Sequence, residues 1–249
     1  MMIIRTSVLL LGVVLCACGQ LLADTVTVTV NGNMDPFLSG MPNGSTAKSG
    51  DTAPDQSPLL ALAGFQEGST VSFASSSTCG FAFGGGCGPY SPSPTDNSAD
   101  GDLGVDGSTG AENGLAGIHA PWNSLLGVFL GGNAPNGSPT PADLNFSGAG
   151  GIGLGFATVN PGLKQVFFIG DGLTDRGSGA IQDFIAPAGA TRLFLGSMDG
   201  FGWFNNTGFQ DVTITFTPAN NVGQVPEPST FVLLGGCLLS LRLLRRKSY

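Results

Sequence analysis

Residues 24–30 read Asp-Thr-Val-Thr-Val-Thr-Val, in which polar and apolar residues alternate without a break from Thr25 onward. A period of two places threonine on one side and valine on the other, which predicts a half-buried β-strand. Short apolar runs bounded by Gly, Pro, Asn and Asp predict further strands over 67–74, 124–130, 165–169, 181–185, 191–196 and 211–217, and Pro58-Leu59-Leu60-Ala61-Leu62 is another such run. Gly-Asp-Gly at 170–172 and Pro-Ala-Gly-Ala at 187–190 read as turns between them. No stretch outside the two ends has a helical period. Roughly eight short strands with turn punctuation predict an all-β fold, a single β-sandwich over 24–220. Residues 31–57 read as an irregular connection, and the Gly/Pro-rich segment 131–155 as an insertion.

Composition supports this reading and narrows the chemistry. Of 249 residues, 41 are Gly and 16 are Pro, which disfavours helix interiors and argues against all-α and α/β enzyme folds. Aromatic content is skewed to 17 Phe against two Trp and two Tyr, enough apolar bulk for a real core. Between residues 24 and 224 there are 16 acidic residues and only four basic ones (Lys48, Lys164, Arg176 and Arg192), a net −12. Such a surface repels phosphate backbones, so nucleic acid is excluded as a partner, whereas cations and neutral sugars suit it. A single histidine, His119, removes His-clustered zinc sites and leaves any His-dependent triad to one position.

The two ends set the compartment. Residues 1–23 begin with Arg5, continue through an apolar stretch over 7–18 and finish at Leu21-Leu22-Ala23, the order of a secretory signal peptide. A competing reading is a lipoprotein box at Leu15-Cys16-Ala17-Cys18. At the other end stand Val225, Pro226, Glu227 and Pro228, then an apolar transmembrane segment over 230–244, then Arg245-Arg246-Lys247. The prolines keep the motif extended and open to an enzyme, and the basic end stays cytoplasmic. The apolar stretch spans about 22 Å at 1.5 Å per residue, against a bilayer core of about 30 Å, so Arg242 must snorkel. In this order and position, residues 225–249 resemble the PEP-CTERM sorting signal of Gram-negative bacteria. That resemblance implies recognition by an exosortase after passage through the secretion translocon. The protein is then anchored in the inner membrane before processing and released to the outer envelope or extracellular matrix, where polysaccharide is the expected partner. The same short tail is also called an ice-binding-protein C-terminal domain, a name that carries no evidence of ice binding.

A second resemblance rests on Ala120-Pro121-Trp122-Asn123-Ser124-Leu125-Leu126-Gly127-Val128-Phe129, on the runs at 167–170 and 184–189, and on Arg192-Leu193-Phe194-Leu195-Gly196 leading to Asp199 and Asn205-Asn206. Together they are similar to the calcium-dependent galactose-binding lectins, which implies a jelly-roll sandwich. It also implies a calcium site at Asp199, Asn205 and Asn206, with the backbone oxygen of Tyr90 from an earlier loop. A hard cation wants six to eight oxygens, and one flexible loop can supply several. The loop is one residue short of the lectin pattern, and Trp203 replaces an expected Thr ligand. The competing reading is a strand connection whose Asp and Asn bond to local backbone. Trp203, with Phe201 and Phe204, reads either as a sugar platform or as closure of the core.

Three other features complete the reading. Asp96, Ser98, Asp100 and Asp102, with Gly101, follow the first half of an EF-hand-like calcium loop, but Gly107 stands where its bidentate Glu belongs, so a solvated acidic loop is the expectation. Cys79 and Cys87 flank Gly84-Gly85-Gly86 in an exported chain, and a disulfide closing that loop is expected. A nucleophile elbow and a phosphate loop are both missing, and Glu67 and Glu112 are the only glutamates of the body. The chain therefore reads as a non-enzyme: an exported structural or exopolysaccharide-associated protein, with a calcium-dependent carbohydrate-binding module as the alternative and calcium as the one candidate cofactor.

Overall fold

The computed structural model describes residues 23–48, 50–76, 99–102 and 106–219. It is β-rich, and its only helical elements among these residues are three single 3-10 turns, at Pro36–Leu38, Pro135–Gly137 and Trp203–Asn205. The strands are β1 Asp24–Asn31, β2 Leu59–Ala63, β3 Thr70–Ser76, β4 Asp106–Thr109, β5 Ile118–Pro121, β6 Leu125–Leu130 and β7 Leu144–Asn145. They continue as β8 Thr158–Val159, β9 Val166–Phe168, β10 Leu173–Asp175, β11 Ser178–Ile181, β12 Asp183–Ile185, β13 Arg192–Ser197 and β14 Phe209–Thr217.

One sheet has five strands in the order β1-β14-β3-β12-β8, and a second has four in the order β2-β13-β6-β9. A three-stranded sheet β4-β5-β7 and a two-stranded ribbon β10-β11 complete the set. In the five-stranded sheet β1 pairs with β14 over eight residues without a register break, from Asp24 opposite Phe216 to Asn31 opposite Phe209. The alternation read in the sequence decides the two faces. Val30, Val212, Ile214, Val71 and Phe73 are buried, while Thr25, Thr27 and Thr29 lie outside.

Both large sheets feed one apolar cluster, and phenylalanine rings join them. Phe65 lies 5.7 Å from Phe129 of β6 and 6.0 Å from Phe216 of β14. Phe184 of β12 meets Phe73 of β3 at 5.0 Å, Phe156 at 5.5 Å and Phe167 of β9 at 5.5 Å. Edge-on and offset rings at these separations gain attraction beyond their buried area. Glycine makes room at two close approaches. A Cβ on Gly127 of β6 would fall 2.7 Å from the Phe167 ring, and one on Gly172, at φ +85°, would fall 1.9 Å from the Phe73 carbonyl oxygen.

The predicted strands recur with local differences. The run at 181–185 divides between β11 and β12 at Gln182, which is buried and donates from Nε2 to the carbonyls of Leu154 and Phe156, both at 2.8 Å. The Gly/Pro-rich segment 131–155 is tied to the body. Its β7 pairs with β5, Phe146 is buried, and Arg192 donates to the carbonyls of Gly131 and Asn133 at 2.7 Å each. Five short strands, β4, β5, β7, β8 and β10, were not predicted, because each has four residues or fewer and no alternation to mark it. Among the described residues no helix is long and apolar enough to cross a membrane. Residues 1–22 of the signal peptide, the tail from Val225 to Tyr249 with its apolar segment 230–244, and the Cys79 and Cys87 pair lie outside the described residues.

Phe184 joins rings from three other segments and has no exposed surface. Phe184→Ala is expected to destabilise the fold by about 3–5 kcal/mol. Chemical denaturation of the two proteins checks this, and a loss under 1 kcal/mol would show that the ring cluster does not join the sheets.

Candidate functional site

The loop between β13 and β14 carries the residues singled out in the sequence, and its neighbours explain its shape. Asp199 is buried, with Oδ1 accepting from the backbone N–H of Phe201 at 3.1 Å and Oδ2 accepting from Asn206 Nδ2 at 2.8 Å. Asp51, with no exposed surface, reaches in from a distant loop and accepts from the N–H groups of Trp203 at 3.0 Å and Phe204 at 2.8 Å. Asp35 precedes the first 3-10 turn and accepts from the Phe37 N–H at 2.8 Å. Glu112 accepts from the Lys48 N–H. Each of these carboxylates satisfies backbone N–H groups that no strand ladder reaches.

Gathering acids in a buried place has an electrostatic consequence. Burial, with Asp51, Glu112 and Asp199 nearby, pushes the Asp35 carboxyl up to about 8, against the hydrogen bond from Phe37. Burial likewise raises Asp199 and Glu112 above the ordinary carboxylate range. Asp35 Oδ2 and Asn206 Oδ1 are buried without a hydrogen-bond partner.

Beside this cluster opens a cavity of about 330 Å³ lined by Phe37, Lys48, Ser108, Thr109, Glu112 and the loop residues Gly200, Phe201 and Trp203. Trp203 is 3% exposed, stands edge-on to Phe37 at 6.1 Å and donates from Nε1 to the Ser197 carbonyl at 2.9 Å, so it closes the core. Phe201 and Phe204 are 69% and 58% exposed. The core-closing reading thus holds for Trp203 alone of the three. His119 lies on β5 with Nε2 3.5 Å from Ser108 Oγ.

Of the four expected calcium ligands the structure brings two together, Asp199 and Asn206. Asn205 is exposed, with its N–H bonded to the Gly202 carbonyl, and Tyr90 lies outside the described residues. Asn206 Oδ1 is a free acceptor, but Asp199 is already occupied by N–H groups. Among the described residues no three acidic, histidine or cysteine side chains are placed to hold a metal ion. The second acidic run behaves differently from the solvated loop expected of it. Asp100 is 7% exposed, accepts from the Asp171 N–H at 2.9 Å, and leaves Oδ2 buried and unpartnered. Asp102 accepts from Asn123 Nδ2 at 2.8 Å, and Asp106 starts β4. Asp100 and Asp102 thus serve two separate neighbours, and Asp106 is exposed. Asp96 and Ser98 lie outside the described residues.

Asp171, in the turn predicted at 170–172, fastens more than that turn: it accepts from the N–H groups of Leu173 at 2.8 Å and Gly177 at 2.6 Å. Its flanking glycines were the available signal, since Asp between two glycines marks a side chain that organises a tight turn.

Residues 224–247 match the PEP-CTERM protein-sorting motif. The chain carries an exosortase sorting signal. The PEP-CTERM motif implies recognition by an exosortase and an exported protein processed at a membrane. No curated protein and no solved structure matches the chain.

The raised carboxyls make stability depend on pH with a definite sign. A carboxyl whose folded pKa lies above its unfolded value binds its proton more tightly in the native state. Its contribution is therefore complete below about pH 4 and is lost as pH rises through the folded value. Asp100 is raised to about 6, chiefly by burial, and Asp35 to about 8. The melting temperature should accordingly fall between about pH 4 and about pH 8, and Asp35→Asn should remove the fall between pH 6 and pH 8, where Asp100 no longer contributes, and lessen the fall below pH 6. Melts of both proteins across that range check it, and an unchanged profile in Asp35→Asn would refute the assignment.

Proposed function

We propose that this chain is an exported cell-envelope or extracellular-matrix protein with a structural or exopolysaccharide-associated role and no catalytic chemistry of its own. In this reading a signal peptide over 1–23 directs export, the apolar segment 230–244 holds the inner membrane, and exosortase action at Val225-Pro226-Glu227-Pro228 releases a β-sandwich body of jelly-roll type. The carrying observation is the PEP-CTERM motif at 224–247. The body lends support, because Asp35, Asp51, Asp171 and Asp199 spend their carboxylates on backbone N–H groups. Two five- and four-stranded sheets sharing one apolar cluster support the sandwich.

Deletion of 225–228 with the apolar segment kept should leave the protein unprocessed in the inner membrane of a host that carries the exosortase. Fractionation and intact mass read this directly. Equal processing of the wild type and the deletion would refute the sorting route.

A calcium-dependent carbohydrate-binding role is the second reading, favoured by one observation: Asn206 Oδ1 has no partner and belongs to a loop whose Gly200 and Phe201 line the 330 Å³ cavity. Exposed Phe201 offers an apolar face to a sugar ring, and Asp199 with Asn206 offers oxygens to the cation. Calorimetric titration with calcium should then give a binding heat in the wild type that Asp199→Ala abolishes. Absence of heat in the wild type would leave the structural reading alone.

A further inference from the structure

Strand β1 is the edge of the five-stranded sheet, and among the described residues no strand pairs with its outer side. Edge strands of soluble proteins are usually blunted by proline, lysine, a bulge or short length. This one has none of those devices. It runs for eight residues, reads Asp-Thr-Val-Thr-Val-Thr-Val-Asn, and keeps an unbroken register with β14. Its apolar side is incompletely covered, since Val26 is 37% exposed and Val28 is half-buried although both lie on the side of buried Val30.

We propose that β1 pairs antiparallel with β1 of a second copy of this chain, around a two-fold axis at Thr27, so that two five-stranded sheets become one continuous sheet. The sequence of the strand selects both the occupant and the register. With Thr27 opposite its own copy, Thr25 faces Thr29, Val26 faces Val28, and Asp24 faces Val30. Threonines then meet only threonines on the outer face, the two incompletely buried valines cover each other, and no carboxylate opposes another. A shift by one residue would set threonines against valines and turn the two apolar faces to opposite sides of the joined sheet, and a shift by two, centred on Val28, would leave exposed Val26 opposite the already buried Val30. Charge points to the same surface. The body carries a net −12, so copies repel over most of their area. Strand β1 holds a single acid, at its first residue. The outer face continues inward as a hydroxyl array that is already ordered, with Thr27 Oγ1 3.1 Å from Thr213 Oγ1 and Thr29 Oγ1 donating to Asp211 at 2.6 Å. Ordered side chains reduce the entropy lost on association. This inference stands independently of the sorting route and of calcium.

The register makes the test position-specific. Directly opposite residues of an antiparallel pair have Cα atoms about 4.5 or 5.5 Å apart, both within disulfide range. In the full-length chain under mild oxidation, Thr27→Cys should yield a covalent dimer linked through position 27 in both copies, identified by peptide mass. Thr25→Cys should not, because its opposite number is Thr29. Adding Val26→Lys to Thr27→Cys places a charge on the apolar side of the edge and should reduce the linked fraction about tenfold or more. Thr27→Lys, on the exposed face and without demand on the core, should weaken dimerisation of the otherwise unaltered chain in sedimentation. Equal cross-linking at positions 25 and 27 would indicate association through another part of the chain and overturn the proposal. A monomer that fails to cross-link at position 27 would mean that this edge is covered by something other than a second copy, and would overturn it equally.

Discussion

Backbone groups that no strand ladder can reach impose the constraint on which this structure depends. A chain with 41 glycines folds into short strands joined by long irregular connections, and every buried N–H and carbonyl in those connections needs a partner. Charged side chains supply many of them. Asp35, Asp51, Asp143, Asp171 and Asp199 accept from the N–H groups of Phe37, Trp203, Gly117, Leu173 and Phe201. The scarce cations do the converse. Lys48 donates to the Ala111 carbonyl, Lys164 to those of Ser138 and Pro139, and Arg192 to those of Gly131 and Asn133. The acidity of the body is therefore in part an architectural property, since a carboxylate fastens loops by their N–H groups and such loops are numerous here.

The same economy separates two kinds of buried acid. Asp51 and Asp171 each use both oxygens on N–H donors. Asp35 and Asp100 each bond through one oxygen and bury the other without a partner, so desolvation prevails and their carboxyls rise to about 8 and about 6. Protonation is the physical way to lessen the penalty on the second oxygen. A loop fastened by a protonated acid holds best in acid and loosens as the proton leaves.

The sequence was most legible where residue pattern and burial coincide. The Thr/Val alternation of 24–30 became β1 with its faces as expected, and the apolar runs at 124–130, 191–196 and 211–217 became β6, β13 and β14 within a residue or two. Strands β8 and β10 were hidden because pairs and triplets of residues have no measurable period, and their pairing is decided by partners far away in the chain. Segment 131–155 reads as an insertion from its glycines and prolines. Its attachment rests on Phe146, on Gln182 and on Arg192, the last two lying far from it in sequence. For the candidate site, local chemistry was readable and long-range partnership was not. Asp199 and Asn206 do meet, whereas the reach of Asp51 to Trp203 across 152 positions leaves no local trace.

Sorting and body place complementary demands on one chain. A terminal motif read by a processing enzyme must be accessible to it. The body must hold its irregular connections without continuous ladders, and here carboxylates, three cations and a phenylalanine cluster perform that task. Neither demand calls for a reactive side chain. A ligand at the β13–β14 loop would have to compete with the bonds from Gly200, Phe201 and Asn206 that Asp199 already accepts.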